Sequence, residues 1–350
     1  MQVLAGDVGG TKTLLAIAEV GAAAGPSGGP SIDLRESRRF DSRQYPGLGA
    51  MGRAFAQDLG RPLPQRAAFG VAGPVSGGRS HTTNLPWILD ERELAGIWGI
   101  ESVRLANDFH ALALGIPSVK QADLVALNEG VSDPNGPWAL IGAGTGLGEG
   151  IAVLDTCGRR EVLATEGGHS SFAPRDELEI GILRFLLRRY QHVSWERVVS
   201  GDGLVNIAEA LADASGAPLP PHVAQAALYA RVDAAAAITE AARGGDPLCR
   251  RALETFCSLY GAEAGNLALK ALSTGGVYVA GGIAPKILPE LQDGRFRAAF
   301  LAKGRMRPLL EAMPVQVVLD PNTTVLGAAA LAANEATLLP QTRHTPGTIP

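Results

Sequence analysis

The sequence predicts an α/β protein built from two similar domains, on three observations. A strand, a glycine-rich turn and a second strand occur at Val3–Ala18 and again at Trp138–Leu154, so the chain repeats one supersecondary unit. A further apolar strand, Val277–Ala280, ends on Gly281-Gly282. With 350 residues, 46% of them hydrophobic, the chain is long enough to bury two ordinary cores. Its 44 glycines exceed the usual share of about 7%, which fits many close backbone turns.

In the first hairpin, Val3–Val8 is an apolar run interrupted by Asp7, and Thr13–Ala18 is a second run; Gly9, Gly10, Thr11 and Lys12 lie between them. Adjacent glycines let backbone N–H groups approach an anion, and a hydroxyl and an ammonium beside them add stronger donors. The turn is therefore a candidate phosphate cradle. An anion inside a buried strand is costly unless it faces a cation, water or several donors, and a metal-bound phosphate supplies the cation. Asp7 thus reads as a Mg-site residue. A P-loop needs Gly immediately before Lys-[Ser/Thr], and here Thr11 precedes Lys12-Thr13. A dinucleotide fingerprint needs glycines that open a helix, whereas Leu14-Leu15-Ala16-Ile17 continues as a strand. Taken alone, the segment could be an ordinary hairpin turn. The second copy, Gly142-Ala-Gly144-Thr145-Gly146-Leu-Gly148, favours the phosphate reading.

Between and after the hairpins, Gly21–Pro30 is rich in Gly, Ala, Pro and Ser and reads as an exposed loop. Gln65–Val71 and Ser102–Ala106 read as strands with a helix over Glu91–Trp98, and Phe109–Leu114 begins another helix. From Arg175 onward helices dominate. Asp176–Tyr190 places Leu178, Ile182, Leu183, Phe185, Leu186 and Leu187 at helical spacing, with Asp176-Glu177 complementing the dipole of the first turn. Ser194 is a candidate cap for a short helix, and Pro218–His222 is a breaker. Asp246-Pro247 opens a long helix to about Ala271, Thr324–Ala336 is an alanine-rich helix, and Gln341–Pro350 reads as a frayed tail.

A net charge of −4 gives no basic footprint for nucleic acid, and no apolar run is long enough to span a bilayer. The N-terminus has no positive n-region and carries Asp7 where a signal peptide would be apolar, so a cytoplasmic protein is expected. Cys157, Cys249 and Cys257 form no metal-ligand spacing and no even disulfide set. Cys249 and Cys257 on one helix would stand about 12 Å apart, beyond disulfide reach.

Two such hairpins with a third strand ending in Gly-Gly form the pattern of the sugar-kinase, actin and heat-shock ATPase superfamily. Within it the chain resembles the bacterial glucokinases almost end to end. The resemblance rests on Gly6-Asp-Val-Gly-Gly-Thr11, Thr83-Asn-Leu-Pro-Trp87, Asn107-Asp108-Phe109, Gly142–Gly148, Glu166-Gly-Gly-His169, Glu196-Arg-Val-Val-Ser-Gly201 and Ala280-Gly-Gly-Ile283. It implies a two-lobed ribonuclease H-like fold of the sugar kinase/actin type with a nucleotide cleft between lobes. Residues 1–108 with about 322–350 would form a small α/β domain, and 109–321 a large one with helical insertions.

By itself Asn107-Asp108 could be a helix N-cap. The resemblance makes Asp108 the base that takes the proton of an attacking sugar hydroxyl, a role aspartate also fills in protein kinases. It makes Asn84, Asn107, Glu166, His169 and Glu196 the polar cage for the sugar. Without it, Glu166–His169 would read as a surface loop and Glu196 as a solvated helix end. Gly9, Gly10, Thr11 and Lys12 would meet the distal phosphates of ATP, and Gly142, Gly144, Thr145 and Gly146 the phosphates from the opposite domain. Gly281 and Gly282 would lie near the adenosine. Thr165 stands where relatives often carry glycine, and Pro-Asn-Thr-Thr follows Asp320 where they often read Asn-Pro-Gly, so no adenine contact is carried over from that segment.

The reaction implied is Mg-ATP-dependent phosphorylation of glucose at its 6-hydroxyl, by a homodimer. Another hexose or N-acetylhexosamine kinase on the same scaffold stays open. A sugar-sensing repressor is disfavoured because the first strand begins near Val3, leaving no room for a DNA-binding head. An actin-like filament or chaperone ATPase is disfavoured by the sugar cage. The cysteine-rich zinc site that the related repressor/kinase group carries after its Gly-His motif is replaced here by Ser170-Ser-Phe-Ala-Pro174, so no zinc is expected.

Overall fold

The computed structural model describes residues 1–23, 30–82, 85–156, 158, 160–229 and 231–334. They divide into two compact units, one formed by Met1–Val119 with the chain from Asn322 onward, the other by Lys120–Pro321.

The first unit contains β1 (Gln2–Val8), β2 (Lys12–Ala23), β3 (Pro30–Asp41) and β4 (Arg66–Val71), a small sheet of β5 (Val75–Ser76), β6 (Arg79–His81) and β7 (Ile88–Asp90), and β8 (Ser102–Asn107). The main sheet has the order β3-β2-β1-β4-β8. Strands β1, β2 and β3 form an antiparallel meander, while β4 and β8 run parallel to β1. Its helices are α1 (Leu48–Leu59), α2 (Glu91–Trp98) and α3 (Asp108–Gly115), joined by the returning helix Thr323–Ala333. Alternation along β1 assigns the two faces of the sheet. Leu4 and Val8 pack with Met51 and Phe55 of α1 and Leu94 of α2, whereas Val3 and Ala5 pack with Val325, Ala328 and Ala329 of the returning helix. A strand covered on both faces must be apolar throughout, which is why Asp7 stands out.

The second unit contains β9 (Leu124–Asn128), β10 (Trp138–Ala143), β11 (Leu147–Leu154), β12 (Arg160–Thr165), β13 (Gly276–Ala280) and β14 (Val315–Val318), ordered β12-β11-β10-β13-β14-β9. Again three antiparallel strands lead into two parallel ones, so the first sheet's topology recurs with β9 added at the edge. The helices are α4 (Glu177–Leu187), α5 (Gly201–Ser215), α6 (Pro221–Tyr229), α7 (Arg231–Arg243) and α8 (Pro247–Ala271), with shorter ones at Leu288–Leu291, Arg295–Leu301 and Arg307–Glu311. Asp246 caps α8 by accepting the Cys249 N–H at 2.8 Å. Ala139, Ile141 and Ala143 of β10 share one core with Phe256 and Tyr260 of α8 and Phe296 and Phe300 of the helix Arg295–Leu301. Cys249 and Cys257 are buried free thiols, and burial raises both, Cys249 to about 12.

Several expectations shift. The first unit closes at Val119 rather than at 108, because α3 packs along the returning helix. Gly21–Ala23 belong to β2, whose ladder with β3 runs out to Ala23 opposite Pro30. Helix α4 stops at Leu187, and Ser194 precedes a single 3-10 turn, Trp195–Arg197, without capping it through its side chain. The loop expectation for 24–29, Thr83 and Asn84, Cys157 and the tail expectation lie outside the described residues. Among the described residues no helix is long and apolar enough to cross a membrane.

Candidate functional site

In the first unit the parallel strands β1, β4 and β8 end at Val8, Val71 and Asn107, and ligands of open α/β sheets sit beyond such carboxyl ends. The turn Gly9-Gly10-Thr11 lies at that edge, with Lys12 opening β2. The Gly9 N–H donates to Lys12 O at 3.1 Å, and among the described residues the N–H groups of Gly10 and Thr11 meet no backbone acceptor. Ser42 clamps the turn from outside. Its N–H donates to Thr11 O at 2.9 Å, its Oγ donates to Gly9 O at 2.8 Å, and the Thr13 hydroxyl lies 2.9 Å from that Oγ. Nothing in the sequence around Ser42 signals this role.

Asn107 and Asp108 stand at the β8–α3 junction on the same edge. Asn107 is indeed the N-cap: its Oδ1 accepts the Phe109 N–H at 2.9 Å while its Nδ2 donates to Gly73 O at 3.2 Å. An amide keeps a second lone pair and a second N–H, so this anchoring leaves capacity for a ligand. Asp7, on the β1 face shared with Val3 and Ala5, is opposite Gly70 of β4. Burial, and then the negative charge of Asp108, push its carboxyl up to about 7. Two acids opposing each other's ionisation beside a glycine-rich turn would suit Mg, which takes one or two carboxylates and completes its shell with phosphate oxygens and water. Among the described residues no group of three or more His, Cys, Asp or Glu is placed to hold a metal, so an ion at Asp7 would depend on those other oxygens.

In the second unit the β10–β11 tip is Gly144-Thr145-Gly146, whereas Gly142 lies in the ladder, paired with Gly148. Gly144 N–H donates to Gly146 O at 2.8 Å, and among the described residues the N–H groups of Thr145 and Gly146 meet no backbone acceptor. The start of α5 bonds to this tip through Gly201 N–H to Gly144 O at 2.9 Å. Gly281 follows β13 with φ +85°, and two residues on the Ile283 N–H donates to Ala143 O at 3.2 Å, so Gly281 and Gly282 lie beside the second hairpin. The buried Tyr260 hydroxyl fixes the two strand ends together, accepting the Ala143 N–H at 3.0 Å and donating to Ala280 O at 3.2 Å.

Glu166 and His169 sit on a turn just after β12, exposed, with His169 Nε2 3.9 Å from Glu166 Oε2. Glu196 accepts the Leu147 N–H at 3.0 Å, and Trp195 N–H donates to Ser170 O at 3.0 Å, tying the two turns together over the start of β11. The second unit thus gathers Glu166, His169 and Glu196 beside Thr145 and Gly146. The first gathers Asp7, Gly9 to Lys12, Asn107 and Asp108.

A family model described as Glucokinase matches residues 4–335. The glucokinase of Nostoc sp. is 42% identical over 344 residues, covering 95% of this chain and 98% of that protein. A crystal structure of glucokinase from an Antarctic psychrotroph superposes with a TM-score of 0.80 at 29% identity, covering 95% of this chain and 98% of the other. A ROK family glucokinase from Streptomyces griseus, solved with glucose and AMPPNP, has the same fold at a TM-score of 0.61 and 24% identity, covering 95% of this chain and 99% of that one. The repeated hairpins, the carboxylate at the β8–α3 junction and a family match over nearly the whole length lead to one conclusion: the chain belongs to the glucokinase family.

Proposed function

We propose that the chain transfers the γ-phosphoryl group of ATP to the 6-hydroxyl of glucose. The observation that carries this is the Asp108 carboxylate, which opens α3 at the same sheet edge as the Gly9–Thr11 turn and Asp7. As the O6–phosphorus bond forms, the bond from phosphorus to the β–γ bridging oxygen breaks, ADP leaves, and the O6 proton passes to Asp108. The unengaged N–H groups of Gly10, Thr11, Thr145 and Gly146, with Lys12, suit phosphate oxygens. Gly281 and Gly282 border the adenosine in this reading. Glu166, His169 and Glu196 offer acceptors and a donor to sugar hydroxyls, joined by Asn107 and Asn84. Asp7, together with phosphate oxygens, would hold magnesium, which would supply neutralisation of the phosphate charge.

Glucose comes from the names of the relatives, and glucose and an ATP analogue from the Streptomyces griseus complex. A homodimer and a cytoplasmic location belong to the same proposal. A coupled assay with ATP and a panel of hexoses and N-acetylhexosamines tests it. Glucose 6-phosphate formation with the highest kcat/KM is the expected result. Preference for another sugar would retain the scaffold and replace the substrate.

A further inference from the structure

Beneath the Glu166–His169 turn lies a buried acid pair with no part in the chemistry above. Glu149, on β11, is 2% exposed, and Glu263, on α8, is fully buried. Their Oε1 atoms are both buried without a hydrogen-bond partner, yet the two side chains are near enough to bond each other once one carries a proton. Two buried carboxylates side by side cannot both ionise cheaply, so one proton shared between them satisfies the pair.

Glu149 also supports the turn directly. Its carbonyl accepts the Thr165 hydroxyl at 3.2 Å, and that hydroxyl accepts the Gly167 N–H at 3.2 Å. Its carboxyl sits against Gly167 so closely that any side chain there would overlap Oε2. We propose that Glu149, sharing a proton with Glu263, is a positioning residue that sets the placement of the Glu166–His169 turn and through it the affinity for the sugar. This rests on the reading of Glu166 and His169 as sugar ligands.

The surroundings favour the shared proton at neutral pH. Burial first, and then the charge of Glu263, push Glu149 up to about 8. Burial also raises Glu263, opposed by the Asn266 amide, which donates to its Oε2 at 2.7 Å, and by Lys270, whose Nζ lies 3.7 Å from its Oε1. Lys303 completes the charged surroundings, bonded to Ala262 O at 2.9 Å and lowered to about 8, chiefly by burial. The buried Tyr260 phenol, raised by burial, stays neutral, and from β12 the Thr165 hydroxyl bonds to the Glu149 carbonyl. When the shared proton leaves, two like charges remain under Gly167.

The test is glucose KM and kcat at saturating ATP from about pH 7 to pH 9. A single proton leaving near pH 8 gives wild-type enzyme a rise in glucose KM of up to about tenfold, with kcat changing far less. Glu149→Gln, uncharged throughout and able to donate to Glu263, removes that rise, while Glu149→Leu raises glucose KM across the whole range. A role in stability alone would lower Tm without separating the pH profiles of wild type and Glu149→Gln. A flat wild-type profile, or the same rise in Glu149→Gln, overturns the proposal. Glu166→Gln at pH 7 distinguishes the two levels. If it raises glucose KM while Glu149→Gln keeps the alkaline rise, the acid pair alone is misread; if it leaves KM unchanged, the sugar-site reading fails and takes this inference with it.

Discussion

In the proposed reaction Asp108 would accept a proton while its charge already disfavours ionisation of Asp7, which ties its basicity to the charge around that acid. Asp108→Asn keeps shape and loses that basicity. We expect kcat to fall at least ~100-fold, with a smaller effect on glucose binding followed by tryptophan fluorescence. A variant keeping a tenth of wild-type kcat would remove Asp108 from the role. At Glu149 the sign of the pH dependence is fixed by the upward shift: the fold favours the acid form. The stability this contributes is complete below the ordinary glutamate range and is lost as pH rises through about 8. Wild-type Tm should therefore decline toward alkaline pH, and Glu149→Gln should decline less, by a few degrees at about pH 9. Equal slopes in the two proteins would contradict the shared proton. Asp7 was legible because a carboxylate in a doubly covered strand demands a reason. Glu149 carries the same signal, a charge between Gly148 and Gly150 in a buried strand, but the surrounding glycines read as a turn and hide the burial of the strand. Its partner Glu263 is far away in sequence, on a helix whose pattern gives no hint of the strand it faces.

At the level of elements, strands and helix starts were readable from local chemistry: the apolar runs of the first hairpin, the helix over Glu91–Trp98, and Asp246-Pro247 opening α8. What local chemistry does not reveal is how distant elements lock together. Tyr260 holds β10 to β13, and Tyr260→Phe leaves the buried Ala143 N–H without an acceptor. It should cost about 1–3 kcal/mol and a few degrees of Tm, measurable by thermal unfolding. Unchanged stability would show that another acceptor takes over. In the first unit, α3 and the returning helix approach so closely at Gly327 that an added Cβ would overlap Ala111 O. Gly327→Ala should lower both Tm and kcat, because α3 carries Asp108 at its first turn, and overpacking of this kind costs ~1–3 kcal/mol. The same packing joins α3 to the first unit, which local chemistry does not reveal: sequence marks where α3 begins and says nothing of which unit it joins.

For the molecule as a whole, a phosphotransferase must keep water from taking the phosphoryl group. ATP hydrolysis measured without sugar should be orders of magnitude slower than glucose phosphorylation. Comparable rates would favour an ATPase over a sugar kinase. The division of the chain also bears on synthesis. Lys120–Pro321 is one continuous stretch, whereas the first unit needs the helix Thr323–Ala333 to cover Val3, Ala5, Ala16, Ala18, Ala68 and Ala106 on one face of its sheet. On the ribosome, the half of the protein that emerges first must therefore finish last. Until residue 333 is made, that alanine-rich face stays open to solvent and to any chaperone that recognises apolar sheets. Nascent chains arrested shortly before Asn322 should hold a protease-resistant second unit while β1 to β4 remain cleavable, so that the order of translation and the order of folding run in opposite directions.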